Sequence, residues 1–145
     1  MKINVLLFCF GFFCSSHLHT QEAEIQQTVN QLFTAMRNGD SALAANAFAP
    51  GAFMQTVAKN KEGETVVRQE SVANFTGFVG KQKKDAADEQ ISFETIRIDG
   101  DMAFVWTPYK FFWNGTFSHS GVNAFCLVRL QNQWKIQYII DTRRK

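Results

Sequence analysis

Cysteine, proline and histidine are scarce in this chain of 145 residues, and each scarcity excludes something. Two of the three cysteines, Cys9 and Cys14, fall in the first fourteen residues, which leaves Cys126 alone in the body of the chain. A framework of intrachain disulfides is therefore excluded. In an exported protein that lone thiol is expected to lie buried within a strand. His119 is the only histidine beyond residue 19, and one His with one isolated Cys does not supply the three or four ligands of a zinc site, so no metal is expected. Charge of one sign is also lacking. A formal net charge of +2 gives no electrostatic argument for nucleic acid. The basic run Lys81-Gln82-Lys83-Lys84 is answered at once by Asp85, Asp88 and Glu89, and reads as a solvated loop or helix end. No apolar run is long enough to span a bilayer, which takes about 20 residues.

The longest apolar run, 3–14, follows Met1-Lys2 and gives way to the polar 15–20. A short basic head, an apolar run and a polar exit are the layout of a secretory signal peptide. Residues 1–20 are accordingly expected to be a leader, and 21–145 a single exported domain, secreted or periplasmic. A lipid anchor on Cys14 is the alternative, although Phe12 and Phe13 are bulky where acylation motifs carry small residues. The domain left is roughly 125 residues, enough for one core of its own.

Hydrophobic periodicity divides that domain in two. Over 22–38, Ile25, Val29, Leu32, Phe33 and Met36 recur at helical spacing, and Gly39 stands where a helix stops. A short second helix carries Leu43, Ala44, Ala47 and Phe48 before Pro50-Gly51 ends it. Segments 53–58 and 65–69 form a small hairpin, and Ser71 caps a third helix with Val72, Phe75, Phe78 and Val79 inward. Four long strands follow, over 90–98, 101–113, 116–130 and 134–142. Their turns are marked by Asp99-Gly100, Asn114-Gly115 and Gln131-Asn132-Gln133. Asn-Gly between aromatic, β-prone runs signals a hairpin, because both residues tolerate the positive φ of a type I′ turn. Helices set to one side of an antiparallel sheet make an α+β domain. Strand 122–130 is apolar on both parities, with Val122, Ala124, Cys126 and Val128 on one and Phe125 and Leu127 on the other. Helices cover one face, so the other is expected to meet a second subunit in a homodimer.

These residues also resemble a family. The run from Gly100 through Asp101, Met102, Ala103, Phe104 and Val105 to Trp106 is followed by Gly121 in the next strand. Trp134-Lys135-Ile136 then closes on Asp141-Thr142, and Arg37-Asn38-Gly39-Asp40 precedes an Ala-rich short helix. The whole, over about 21–142, resembles the nuclear transport factor 2-like superfamily, and within it the secreted bacterial proteins described as SnoaL-like or putative lumazine-binding. The resemblance implies a cystatin-like cone, in which three N-terminal helices pack in a curved antiparallel sheet around a pocket. Such cones include isomerases, dehydratases and cyclases that use no metal or cofactor. The Tyr and Asp pair of the isomerases is not matched by motif here, and the two histidines of the dehydratases are missing.

Function therefore rests on pocket residues. Asp141, on the last strand, is the first acid–base candidate, since an apolar cone raises a carboxyl's pKa toward neutrality. The same residue can instead pair with Arg143 or Arg144. His119 and Tyr109 are the further catalytic candidates, with Asn123 as a polar neighbour. Trp106, Tyr109 and Trp113 form an aromatic wall for a flat apolar ligand, joined by Phe33 from the first helix and Asn123. Pro108 removes a ladder donor and predicts a bulge or an edge in this strand. The expected activity is binding of a small hydrophobic molecule without a cofactor. Acid–base catalysis, or assembly of a dimer with no ligand, are the alternatives.

Overall fold

The computed structural model describes residues 13–145, with side chains from residue 19 onward. Residues 1–12, most of the expected leader, lie outside the described residues, as does the side chain of Cys14. Helix α1 runs Phe13–Asn38 and α2 Ser41–Asn46; strands β1 (Phe48–Lys59) and β2 (Thr65–Ser71) precede α3 (Val72–Val79). Strands β3 (Ala87–Ile91), β4 (Thr95–Asp99), β5 (Met102–Trp113), β6 (Thr116–Leu130) and β7 (Gln133–Arg144) complete the chain.

Helix boundaries follow from capping. Gly39, at φ +66, ends α1 in a left-handed turn in which Asp40 N–H donates to Ala35 O (2.9 Å) and Gly39 N–H to Met36 O (3.3 Å). A Cβ at Gly39 would lie 2.3 Å from Gln82 O, so the position takes only glycine. The Asp40 carboxylate then caps α2 by accepting from Leu43 N–H, and Ser71 Oγ caps α3 from Asn74 N–H.

One seven-stranded sheet wraps these helices in the order β2-β1-β7-β6-β5-β3, with β4 also on β5. Ile25, Val29, Leu32 and Ala35 of α1 are buried against Val105, Phe125, Leu127, Ile136 and Ile139 of the sheet. The α+β cone is as expected, with corrections of detail. The sheet is mixed, because β1 runs parallel to β7. Phe48 begins β1 rather than ending α2, and Pro50-Gly51 sits in a register shift inside that strand. The expected strand 90–98 is two strands, β3 and β4, with Ser92–Glu94 bulged against β5. Ser92 and Glu94 donate to Pro108 O and Trp106 O there. Pro108 carries its carbonyl, and so its missing N–H, toward this bulge, and β5 is an interior strand rather than an edge. The first sheet turn centres on Gly100-Asp101, since Asp99 pairs with Met102. Asn114 and Gly115 both take positive φ, as a type I′ turn requires.

A second irregularity decides which way the end of β7 faces. Simple alternation puts Trp134, Ile136, Tyr138 and Ile140 on one side. In the structure the register with β6 shifts between Ile136 and Tyr138, leaving Gln137 unpaired. Beyond this bulge Ile139 and Asp141 share the inner face with Trp134 and Ile136, while Tyr138 and Ile140 face out.

Candidate functional site

The inner face, α1 and α3 enclose a cavity of about 380 Å³. Leu32, Phe33 and Met36 of α1, Met54 of β1 and Phe75 and Phe78 of α3 line one side, and Phe111, Trp113, Phe125 and Ile139 of the sheet the other. Phe33 meets Phe125 edge to face (6.1 Å between centroids), and Phe78 stacks on Trp113 (6.1 Å, 24°) where both rings are partly exposed. Because the sheet's side chains alternate, the same face also delivers the polar groups Glu89, Tyr109, His119, Asn123, Asp141 and Arg143.

Two hydrogen-bonded sets result. In the first, Asn123 Nδ2 donates to Glu89 Oε1 at 2.8 Å. Burial pushes the Glu89 carboxyl up from 4.5 to about 7; the Asn123 bond opposes this, the Asp141 charge adds to it, and Arg143 draws it down. In the second, Asp141 Oδ1 accepts from Thr56 Oγ1. Its Oδ2 accepts from Arg143 Nε at 3.2 Å and lies 3.3 Å from the Tyr109 hydroxyl. The Tyr109 hydroxyl is closer to Thr142 O, to which it can donate at 2.9 Å, than to Asp141 Oδ2. Burial, with the charges of Asp141 and Glu89, raises the Tyr109 pKa and keeps the phenol neutral. His119 is shifted the other way, by burial first and then by Arg143, so its imidazole is neutral at physiological pH. Tyr109 packs edge-on against that ring at 5.7 Å, and Phe111 lies 5.0 Å from it.

Gly121 makes the second set possible. It stands opposite Tyr109 in β5 and Arg143 in β7. A Cβ there would come within 1.8 Å of Thr142 O and 2.6 Å of the tyrosine ring. The ring crosses β6 over the bare glycine to reach Thr142.

The structure brings most of the sequence-derived candidates together. Asp141, His119, Tyr109, Trp113, Asn123 and Phe33 all line the cavity. Trp106 is the correction: it lies on the outer face of β5 beside Phe104 (6.3 Å), because it has the opposite parity to Tyr109. Asp141 reaches the cavity and also pairs with Arg143. Glu89 is the residue that sequence reading passed over, taken as one more solvated charge after the basic run. Its signal was parity with Ala87 and Ile91 in β3, whereas Asp88, of the opposite parity, forms an ion pair with Arg37 (3.2 Å). Among the described residues there is no cluster of three or more potential metal ligands, and no helix is long and apolar enough to cross a membrane.

A family model described as putative lumazine-binding matches residues 20–138. A nuclear transport factor 2-like protein with a cystatin-like fold from Novosphingobium aromaticivorans superposes with a TM-score of 0.69 at 15% identity, covering 89% of this chain and 86% of its own. Nuclear transport factor 2-like proteins of unknown function from Shewanella baltica and Silicibacter pomeroyi give TM-scores of 0.68 and 0.65 at 12% and 18% identity. They cover 88% of this chain, and 96% and 98% of their own. No curated protein matches the chain. The solved structures establish the fold alone.

Proposed function

The chain belongs to the putative lumazine-binding family, within the nuclear transport factor 2-like superfamily, and from this premise we propose that its cavity binds a small, flat, largely apolar molecule with one hydrogen-bonding edge. The observation that carries the reading is the cavity itself. Its volume lies in the ~300–1,000 Å³ range of small-molecule sites, and its walls are aromatic with a few convergent polar groups. The family's description names lumazine, a flat bicyclic pteridine. A ring system of that kind offers two faces to Phe33, Phe111 and Trp113, and an amide-like edge to Glu89, Asn123 and Asp141. Titration calorimetry with lumazine and with 2-methylquinoline tests the reading, supported by native mass spectrometry for a co-purified ligand. Saturable binding of either compound, lost in Phe111→Ala, is expected; no binding of any flat heterocycle and no retained mass would overturn it.

One observation favours a second reading, acid–base catalysis without a cofactor. Glu89, with its pKa near 7, is suited to take and return a proton at neutral pH. A turned-over substrate would show the difference: Glu89→Gln or Asp141→Asn would then lower kcat by about 10²–10⁴. Export completes the proposal. Among the described side chains of α1, Ile25 is the first that is buried, so a chain starting between 15 and 24 keeps the described packed face. N-terminal sequencing of exported material would find that start, and a retained Met1 or a lipid on Cys14 would defeat it.

A further inference from the structure

The charged groups of the cavity do not balance. Those facing it are Glu70 of β2, Glu89 of β3, Tyr109 of β5, His119 of β6, and Asp141 and Arg143 of β7; the linings from α1, β1 and α3 carry no titratable side chain. Arg143, the cavity's only guanidinium among the described residues, is bonded to Asp141. Tyr109 and His119 are both neutral at physiological pH. What remains is Glu89 inside and Glu70 at the exposed rim, neither with a cationic partner within ion-pair distance. Glu89 Oε1 is bonded to Asn123, while Oε2 has no hydrogen-bond partner among the described residues and is not sealed from the cavity.

From this geometry we infer that the cavity selects a flat molecule carrying a protonated nitrogen, its N–H directed to Glu89 Oε2 and its ring held between Phe33, Phe111 and Trp113. The inference rests on the small-molecule reading above and narrows it. A cation supplies the charge that Glu89 lacks, and a desolvated carboxylate–ammonium hydrogen bond is stronger than a neutral one. The ring faces add attraction, because a cation over an aromatic face is stabilised by its quadrupole. A carboxylate or phosphate ligand would instead meet two uncompensated acids. Binding of the cation ionises Glu89, so the affinity rises with pH between about 6 and 8, through the Glu89 pKa.

Titration calorimetry at about pH 7.5 with three bicyclic probes of similar shape separates charge from shape. 4-Aminoquinoline is then a cation, 2-methylquinoline neutral and 2-naphthoate an anion. The amine is expected to bind at least about tenfold tighter than the neutral ring, and the anion at least about tenfold weaker. Glu89→Gln, isosteric with the protonated acid and able to keep the Asn123 contact, should bring the amine-to-neutral ratio down toward one. An anion that binds as well as the amine, or an amine preference that survives Glu89→Gln, overturns the inference while leaving the small-molecule reading intact. Failure of all three probes overturns this inference, and if lumazine also fails and no mass is retained, the small-molecule reading falls with it.

Discussion

Glu89 illustrates how burial of a single carboxyl ties stability to pH. Its pKa of about 7 in the folded chain lies above the ordinary 4.5, so over the pH range between those values the unfolded chain has already lost a proton that the folded chain keeps. The stability linked to this group is therefore complete below pH 4.5 and falls as pH climbs toward 7. At about 1.36 kcal/mol per unit the loss is up to roughly 3 kcal/mol, less to the extent that water in the cavity solvates the carboxylate. Glu89→Gln should remove that slope. Urea unfolding at pH 8 is expected to show the variant more stable than the parent, with the two converging near pH 4.5; identical pH profiles would show that the carboxyl is solvated after all. Gly121 is the opposite case, a residue that contributes only an absence. Gly121→Ala places a methyl against Thr142 O and the Tyr109 ring, and overpacking of backbone is expected to cost at least the ~1–3 kcal/mol typical of core insertions. A melting temperature within a degree or two of the parent's would contradict that packing. Neither residue announced itself in the sequence as part of a site. Glu89 was hidden in a charge run, and the requirement for glycine at 121 arises from Thr142 of β7 and the Tyr109 ring of β5, both distant along the chain.

Elements were legible where a local signal sufficed. Helical spacing gave α1, and Asn114-Gly115 gave the β5–β6 hairpin, since the turn residues themselves require positive φ. What failed was anything that depends on the neighbouring strand. The split of β3 from β4 answers the N–H that Pro108 lacks, and the parallel seating of β1 on β7 depends on long-range contact. The Gln137 bulge, which puts Asp141 in the cavity, has no composition of its own. Six of the seven sequence-derived site residues line the cavity: Tyr109 and Trp113 share one parity of β5 and His119 and Asn123 one parity of β6, while Phe33 comes from α1 and Asp141 from beyond the β7 bulge. Trp106 was misplaced because an aromatic run was read as one wall when its members alternate. Helix α3 offers an element-scale test. Its eight residues carry Phe75 and Phe78 over the cavity, and its N-terminus is capped by Ser71 Oγ at 3.1 Å from Asn74 N. Ser71→Ala should cost about 1 kcal/mol, and amide exchange within α3 should quicken several-fold while β5 and β6 stay protected. Ser71→Asn, which keeps a capping oxygen, should restore the parent rates. Unchanged exchange in the alanine variant would mean that packing, not the cap, holds this wall.

At the scale of the whole molecule the outer face of the sheet is still to be accounted for. Phe104, Trp106, Val122, Ala124, Cys126, Val128 and Ile140 share it, and Trp106, Met102, Phe117 and Leu130 are exposed on the single chain. Cys126, expected to be buried within its strand, is half-buried there for the same reason. An antiparallel sheet with one solvated face alternates apolar with polar residues, and this one does not. We propose that a second copy covers the face in a two-fold homodimer, which would also shield the lone thiol. Because Trp106 points away from the cavity, the two surfaces can be tested separately. Trp106→Glu puts a charge into the proposed interface and should shift the protein to monomer at micromolar concentration, read by sedimentation equilibrium, while binding of 2-methylquinoline stays within about twofold of the parent. Phe111→Ala should do the reverse, weakening the ligand and leaving the dimer. A parent protein that sediments as a monomer sinks the proposal outright. A Trp106→Glu variant that loses ligand but keeps its mass would mean that the outer face is read by the cavity, and that the two faces of this sheet are not independent.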